Sequence, residues 1–171
     1  MSVTEVRVRE ATPADAETIA AVHAAAVREL GGGDYDDRQV RAWLENVHPE
    51  RYPIEETDAG IHVLVAERTD RLAGFGWLDC DSSGRDESVG EIVAVYVRPD
   101  VVREGIGSVL LDRLEGIARD AGLEAVVLVA SKHAIDFYRR QGYEGEETVG
   151  LEMADDVSLA GLRMRKRLSS S

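Results

Sequence analysis

Between Glu91 and Tyr143 the chain runs through an apolar strand, a glycine loop, an amphipathic helix and a second apolar strand, and few folds accommodate that order. The run Glu91-Ile-Val-Ala-Val-Tyr-Val-Arg98 is broken by Pro99, which cannot donate to a sheet ladder. Gly105-Ile106-Gly107 then opens straight into a helix with Ile106, Val109, Leu110, Leu114, Ile117, Ala118 and Ala121 on one face, and Gly122 is its stop. Ala125 to Ala130 is apolar again, and Ala134-Ile-Asp-Phe-Tyr138 lies on a short helix closed by Gly142. Strand, loop, helix and strand make a βαβ unit. The helix N-terminus offers unpaired backbone N–H groups to an anion, so a phosphorylated ligand is expected. The loop lacks the Lys-Ser/Thr of a Walker loop and the third glycine of a dinucleotide fingerprint.

The spacing is Glu-x5-Val-x-Pro, x5-Gly-x-Gly, then Ala-x2-Phe-Tyr-x3-Gly-Tyr, carried by Glu91, Val97, Pro99, Gly105, Gly107, Ala134, Phe137, Tyr138, Gly142 and Tyr143. In this joint order the residues resemble the GNAT superfamily of N-acetyltransferases. Val6-Arg-Val-Arg9 followed by Thr12-Pro13-x-Asp15 is similar to the family's first strand and helix start. Leu162-x-Met164-x-Lys166-x-Leu168 is similar to its closing strand, so the resemblance covers nearly the whole chain. It implies one α/β domain over residues 5–168, with 169–171 a disordered tail. The expected architecture is a mixed, mostly antiparallel central sheet with helices on both faces. The parallel pair formed by the Glu91 and Ala125 strands would splay to admit acetyl-CoA.

The resemblance also implies roles for particular residues. Backbone N–H groups of Arg103, Glu104, Gly105, Ile106, Gly107 and Ser108 would hold the pyrophosphate of acetyl-CoA. The chain departs from the family at Val102, where Gln or Arg is usual, and at Glu104, where a basic residue is common. Arg103 is then the loop's only cation, and binding rests on the backbone and the helix dipole. The backbone of Val95, Tyr96 and Val97 would pair with the pantetheine arm and polarise the thioester carbonyl. A primary amine with a pKa near about 10 is protonated at neutral pH, so transfer needs a base, direct or through water. Glu91 matches a position that serves as base in part of the family; a strand-start carboxylate facing solvent or an arginine would look the same. Tyr138 matches the general acid that protonates the departing thiolate, the other reading being an aromatic packed beside Phe137. Ser131 replaces a frequent asparagine and would bond a pantetheine amide, cap the helix, or do both.

Composition narrows the rest. The net charge is −13, with 18 Arg but only 2 Lys, Lys132 and Lys166, and the acids are scattered rather than gathered in a tail. Such a surface suits a concentrated-salt, halophilic cytoplasm, the alternative being an anionic face that recruits a cationic acceptor. It argues against nucleic-acid binding. No apolar run approaches membrane-spanning length and Met1-Ser-Val-Thr-Glu-Val lacks a signal pattern, so a cytoplasmic protein without membrane contact is expected. The single Cys80 excludes an internal disulfide and reads as an ordinary strand residue, not a nucleophile. No histidine sits at a metal-ligand spacing and no metal is expected: His23 falls on an apolar helical stripe as a core residue, and His48 and His62 flank the acceptor region.

Elsewhere Val3 to Val8 reads as a strand, Thr12 as an N-cap, and Asp37 to Val47 as a helix with Val40, Trp43, Leu44 and Val47 on one side. Trp43 reads as a core anchor. Ile61–Glu67 with Leu72–Asp79, and Tyr143–Met153 with Leu159–Arg167, read as hairpins, and Arg163, Arg165 and Arg167 as a solvated face. Gly31-Gly32-Gly33 reads as a link. The expected function is acetyl transfer from acetyl-CoA to a small-molecule or peptide amine by direct attack. A non-catalytic acyl-CoA sensor and a domain for another phosphorylated ligand are the rivals. The acceptor's identity and the oligomeric state, a homodimer included, stay open.

Overall fold

A computed structural model describes residues 6–29, 35–69, 71–80, 88–101, 105–152 and 157–168. Its centre is a seven-stranded sheet in the order β1-β2-β3-β4-β5-β7-β6. The strands are β1 (Arg7–Glu10), β2 (Ile61–Arg68), β3 (Arg71–Asp79), β4 (Val89–Val97), β5 (Ala125–Ser131), β6 (Glu144–Glu152) and β7 (Ser158–Arg167). Every pairing is antiparallel except β4 with β5. The helices are α1 (Ala16–Glu29), α2 (Asp37–Leu44), α3 (Ile106–Asp120) and α4 (Ile135–Arg140). This is the mixed α/β architecture that the motif order implies.

Alternation along the strands divides the core in two. Leu64, Ala66, Leu78 and Ile92 pack with Leu110, Leu111, Leu114 and Ala118 of α3 on one face. Val63, Val65, Leu72 and Phe75 pack with Ile19, Ala20 and Val22 of α1 on the other. A third cluster joins Val27, Tyr35, Val40 and Trp43 to Leu159 of β7, so α2 reaches the far half of the sheet at that residue. Trp43 is buried there, as its apolar stripe predicts. On α3 the buried stripe includes Leu111, whereas Val109 is 36% exposed.

Several boundaries differ from the sequence expectation. Strand β1 spans Arg7–Glu10 instead of Val3 to Val8, with residues 1–5 outside the described residues. Helix α2 stops at Leu44, three residues short of Val47, where Asn46 and Val47 close turns onto Trp43 and Leu44. The helix after Thr12 begins as a 3₁₀ turn over Pro13–Asp15, whose carboxylate accepts from the Thr12 N–H at 2.8 Å and is gripped by Arg9. That grip holds the Asp15 carboxyl down at about 2. The triglycine at 31–33 and the turn at 153–156 lie outside the described residues.

β4 departs most. A strand buried on both faces was expected, yet Val93 is 40% exposed. Trp77 pairs with Ala94 and Leu78 with Ile92, so Val93 is an extra residue that bulges out of the ladder. On its other edge β4 meets β5 through only Val89, Gly90 and Glu91. Beyond Glu91 the two strands part.

Candidate active site

The parting of β4 and β5 sets the site. From Ile92 to Val97, β4 keeps β3 on one edge but has no strand partner on the other among the described residues. A strand edge without a partner presents main-chain N–H and C=O groups, the feature an extended amide-bearing chain can pair with. Val95, Tyr96 and Val97 all lie on this open segment. The bulge at Val93 reverses the alternation, so Ile92, Val95 and Val97 pack toward α3 while Ala94 and Tyr96 turn toward α1.

The N-terminus of α3 points at the same region. Gly105 caps it with φ 81°, a left-handed conformation that a β-carbon disfavours. Val109 N–H closes the first turn onto the Gly105 carbonyl at 3.1 Å. The N–H groups of Ile106, Gly107 and Ser108 precede that bond and have no intrahelical acceptor. A β-carbon on Gly107 would meet the Phe137 ring at 3.3 Å, so this glycine lets α4 close against α3. Gln141 adds a bond from its amide to the Ser108 hydroxyl at 3.1 Å. The open edge and the helix end together could take an extended, amide- and phosphate-bearing molecule. Arg103 and Glu104, with Val102, lie outside the described residues.

Tyr138 of α4 is buried, its ring tilted against Phe137 and Tyr143 at 5.1 and 5.6 Å. Desolvation holds the Tyr138 hydroxyl well above the ordinary tyrosine range, so it stays protonated at neutral pH. Glu91 occupies the last rung before the strands part, paired with Val127 of β5 and Asp79 of β3. Ser131 has the backbone of a helix cap, but its hydroxyl bonds His133 Nδ1 at 3.0 Å and makes no capping bond, so of the two roles open to it the capping one is not seen. Cys80 is half-buried, and burial with the neighbouring Asp79 charge pushes its thiol up, as expected of an inert residue.

An aromatic cluster lies on the opposite face of β4. On the α1 side of β4, the Tyr96 ring lies 4.3 Å from His23, 5.7 Å from Phe75 and 6.4 Å from Trp43. His23 Nδ1 and the Tyr52 hydroxyl are 2.9 Å apart, and Nε2 is buried with no partner among the described residues. Burial lowers the imidazole to about 4, which makes it neutral, and lifts the Tyr52 phenol to about 12. Tyr35 donates to the Ala160 carbonyl at 2.8 Å and accepts from the Lys132 N–H at 3.1 Å, fastening the entry to α2 onto β5 and β7. Tyr35 and Tyr52, which no motif singled out, stand in the sequence only as aromatics in otherwise polar stretches. Arg163 was expected on a solvated face, yet it pairs with Glu147 at 2.6 Å while its Nε is buried without a partner. Among the described residues no group of three or more His, Cys, Asp or Glu could hold a metal ion, and no helix is long and apolar enough to cross a membrane.

The sequence profile of the acetyltransferase (GNAT) family matches residues 25–143, and the chain belongs to that family. It is 35% identical over 102 residues to an IAA acetyltransferase of Azospirillum brasilense, covering 58% of this chain and 65% of that protein. It is 36% identical over 92 residues to a mycothiol acetyltransferase of Thermobifida fusca, covering 50% of this chain and 28% of that protein. The matches thus span less than two thirds of the length of these curated relatives. Among solved structures, a GCN5-related N-acetyltransferase from Rhodopseudomonas palustris superposes with a TM-score of 0.81 at 26% identity, over 98% of this chain and 99% of that one. PaiA N-acetyltransferase from Thermoplasma acidophilum, solved in complex with coenzyme A, gives 0.77 at 20% identity, over 95% and 99%; at that identity it speaks for the fold alone.

Proposed function

We propose that the protein moves an acetyl group from acetyl-CoA to a primary amine by direct attack. The observation that carries this reading is the edge of β4 that no described strand covers beyond Glu91, together with the free N–H groups at the start of α3. Acetyl-CoA lies along that edge with its pyrophosphate at the α3 N-terminus, near Ile106, Gly107 and Ser108. The amine nitrogen forms a bond to the thioester carbon, the C–S bond breaks, and the Tyr138 hydroxyl gives its proton to the departing sulfur. A phenol held protonated by burial is suited to that donation. The surplus proton on nitrogen leaves through water. Glu91, on the α1 side of β4 at the foot of the gap, is the candidate to receive it, and exchange through water then returns a proton to the Tyr138 phenolate, restoring both groups.

Release of free CoA from acetyl-CoA against a broad panel of primary amines, in low and in molar potassium chloride, tests the reading. Acetylated product should accompany the CoA, and Tyr138→Phe should slow turnover by about 10²-fold while acetyl-CoA still binds. If acetyl-CoA binds but no amine is acetylated, the reading is wrong. If Tyr138→Phe stays within a factor of about three with chemistry rate-limiting, Tyr138 is packing only.

A further inference from the structure

Strands β5 and β7 pair as far as Ser131 and Gly161. In an antiparallel ladder the hydrogen-bonded pairs recur at every second residue, and the bond from the Leu168 N–H to the Glu124 carbonyl at 2.8 Å sets their phase. Counting on from Glu124 in steps of two, the next such pair beyond the ladder's end would join Lys132 to Ala160. In its place stands the Tyr35 hydroxyl, which accepts from the Lys132 N–H at 3.1 Å and donates to the Ala160 carbonyl at 2.8 Å. A side chain from 97 positions earlier in the sequence thus supplies the last rung.

That rung is also the start of a helical segment. Lys132 opens the 3₁₀ turn Lys132–Ala134, which runs straight into α4 and so to Tyr138. The first N–H groups of such a segment have no partner inside it and call for a cap. Neither junction caps itself: the Ser131 hydroxyl is bonded to His133 Nδ1, and Ala134 has no polar side chain. Tyr35 therefore serves as the cap for the segment that carries Tyr138. Its side chain is buried, with the Lys132 ammonium 5.6 Å from the ring centroid and Trp43 of α2 edge-on at 5.9 Å, so packing as well as bonding sets the hydroxyl. Trp43 in turn lies 6.4 Å from Tyr96 on the open segment of β4.

We propose that Tyr35 is a positioning residue for acetyl transfer: its hydroxyl caps the turn that leads into α4 and so fixes where Tyr138 stands relative to the departing sulfur. This rests on the acetyl-transfer reading above. Further along the same segment, Phe137 lies against Gly107 and Gln141 bonds the Ser108 hydroxyl, so α4 is held to α3 beyond its start while Tyr35 holds the start itself. A misplacement of about 1 Å at a reacting group can cost about 10²-fold in rate, so slack at this end of the segment is felt in the chemical step. The donor's phosphates would be held at the start of α3, a separate element. Tyr35 should therefore govern the rate of transfer far more than the affinity for acetyl-CoA.

Tyr35→Phe removes the hydroxyl and keeps the ring beside Lys132 and Trp43. In the full chain, with folding checked by melting temperature, single-turnover acetyl transfer to the best acceptor of the amine panel should slow by about tenfold, while acetyl-CoA binds within about threefold of the parent. The Lys132 amide should exchange with deuterated water faster than in the parent. The same substitution made in Tyr138→Phe should cost less than about twofold, because the group being placed is gone. Adding Lys132→Pro to Tyr35→Phe should return part of the rate and of the melting temperature. Proline at the first helical position has no N–H to cap, and the extended Ser131 before it, with ψ 159°, accommodates it. Gln39→Glu provides the contrast: it keeps the capping box with Asp36 and loses the bond from Gln39 Nε2 to the Ser158 carbonyl at 3.3 Å, loosening α2 from β7 with Lys132 still capped. Its rate should stay within about twofold of the parent. A Tyr35→Phe rate equal to the parent's, an equal loss in both backgrounds, a loss matched by Gln39→Glu, or no recovery with Lys132→Pro would each overturn the positioning role. A Tyr138→Phe rate like the parent's, or acetyl-CoA binding without acetylation of any amine, instead removes the reading beneath and the positioning role with it.

Discussion

His23 shows how a single buried side chain couples to solution conditions. Its imidazole falls from an ordinary 6.5 to about 4 because the surrounding rings exclude water. Above about pH 6.5 it is neutral in both folded and unfolded chains and contributes no pH dependence. Between 6.5 and 4 the unfolded chain takes up a proton that the folded chain refuses, so stability falls as the pH is lowered through this window. Below about 4 the loss levels off near about 3 kcal/mol. Urea titrations at a series of pH values should show this slope, and His23→Phe should flatten it; an unchanged slope would place the titration elsewhere. The proposed catalytic pair was easier to read than this ring. Tyr138 and Glu91 sit in a spaced pattern of glycine, proline and aromatics whose joint order is informative. His23 was legible as a core residue because it lies on an apolar stripe. Its neighbours Tyr52 and Tyr96 are 29 and 73 positions away in sequence, and nothing local announces that they meet.

Among the elements, α3 is fixed to the sheet by a device that its periodicity conceals. Glu115, on the buried side of the helix, is only 1% exposed. It accepts from Lys166 Nζ of β7 and from the Tyr143 hydroxyl, both at 2.8 Å, and Arg119 stands 3.7 Å away. Glu115→Ala leaves an ammonium and a phenol without their acceptor and should cost about 3–5 kcal/mol in urea unfolding. Adding Lys166→Met to Glu115→Ala should recover part of that loss. If the double variant is no more stable than Glu115→Ala alone, the uncompensated charge is not its cause. A glutamate between apolar helical positions reads from sequence as solvent-facing, because its partners lie 28 and 51 residues away. The bulge at Val93 was hidden for another reason: a continuous apolar run has no alternation in which an extra residue could be noticed. Hairpin pairs, whose turns lie within a few residues, were read almost to their ends.

At the scale of the molecule, 33 acidic side chains against 20 basic ones leave a surplus that short-range pairs cannot absorb. The arginines that pair, such as Arg9 with Asp15 and Glu67, are outnumbered by unlike neighbours only locally. Over the whole surface the acids repel one another across a Debye length of about 30 Å at about 0.01 M salt, which shrinks to about 3 Å at about 1 M. The melting temperature should therefore climb between dilute buffer and molar potassium chloride, and salts compared at equal ionic strength will separate screening from ion binding. A flat or falling melting temperature would mean that the charge serves another purpose. Charge composition was wholly legible in the sequence. The ring contacts around Tyr96 were not, since they are made by residues brought together only by folding.

The parting of β4 from β5 leaves the sheet one strand short over half of β4's length. A ladder with an empty rung should breathe, so amide hydrogens of Val93 to Val97 that turn away from β3 should trade with deuterated water faster than those of β2, which is flanked on both sides. A donor lying in the gap would act as the missing strand and shield them. Acetyl-CoA should then slow isotope uptake in β4 and leave β2 as it was; uptake in β4 unaffected by saturating acetyl-CoA would mean that the donor does not complete the sheet. Seen this way, the substrate is for a moment a piece of the fold.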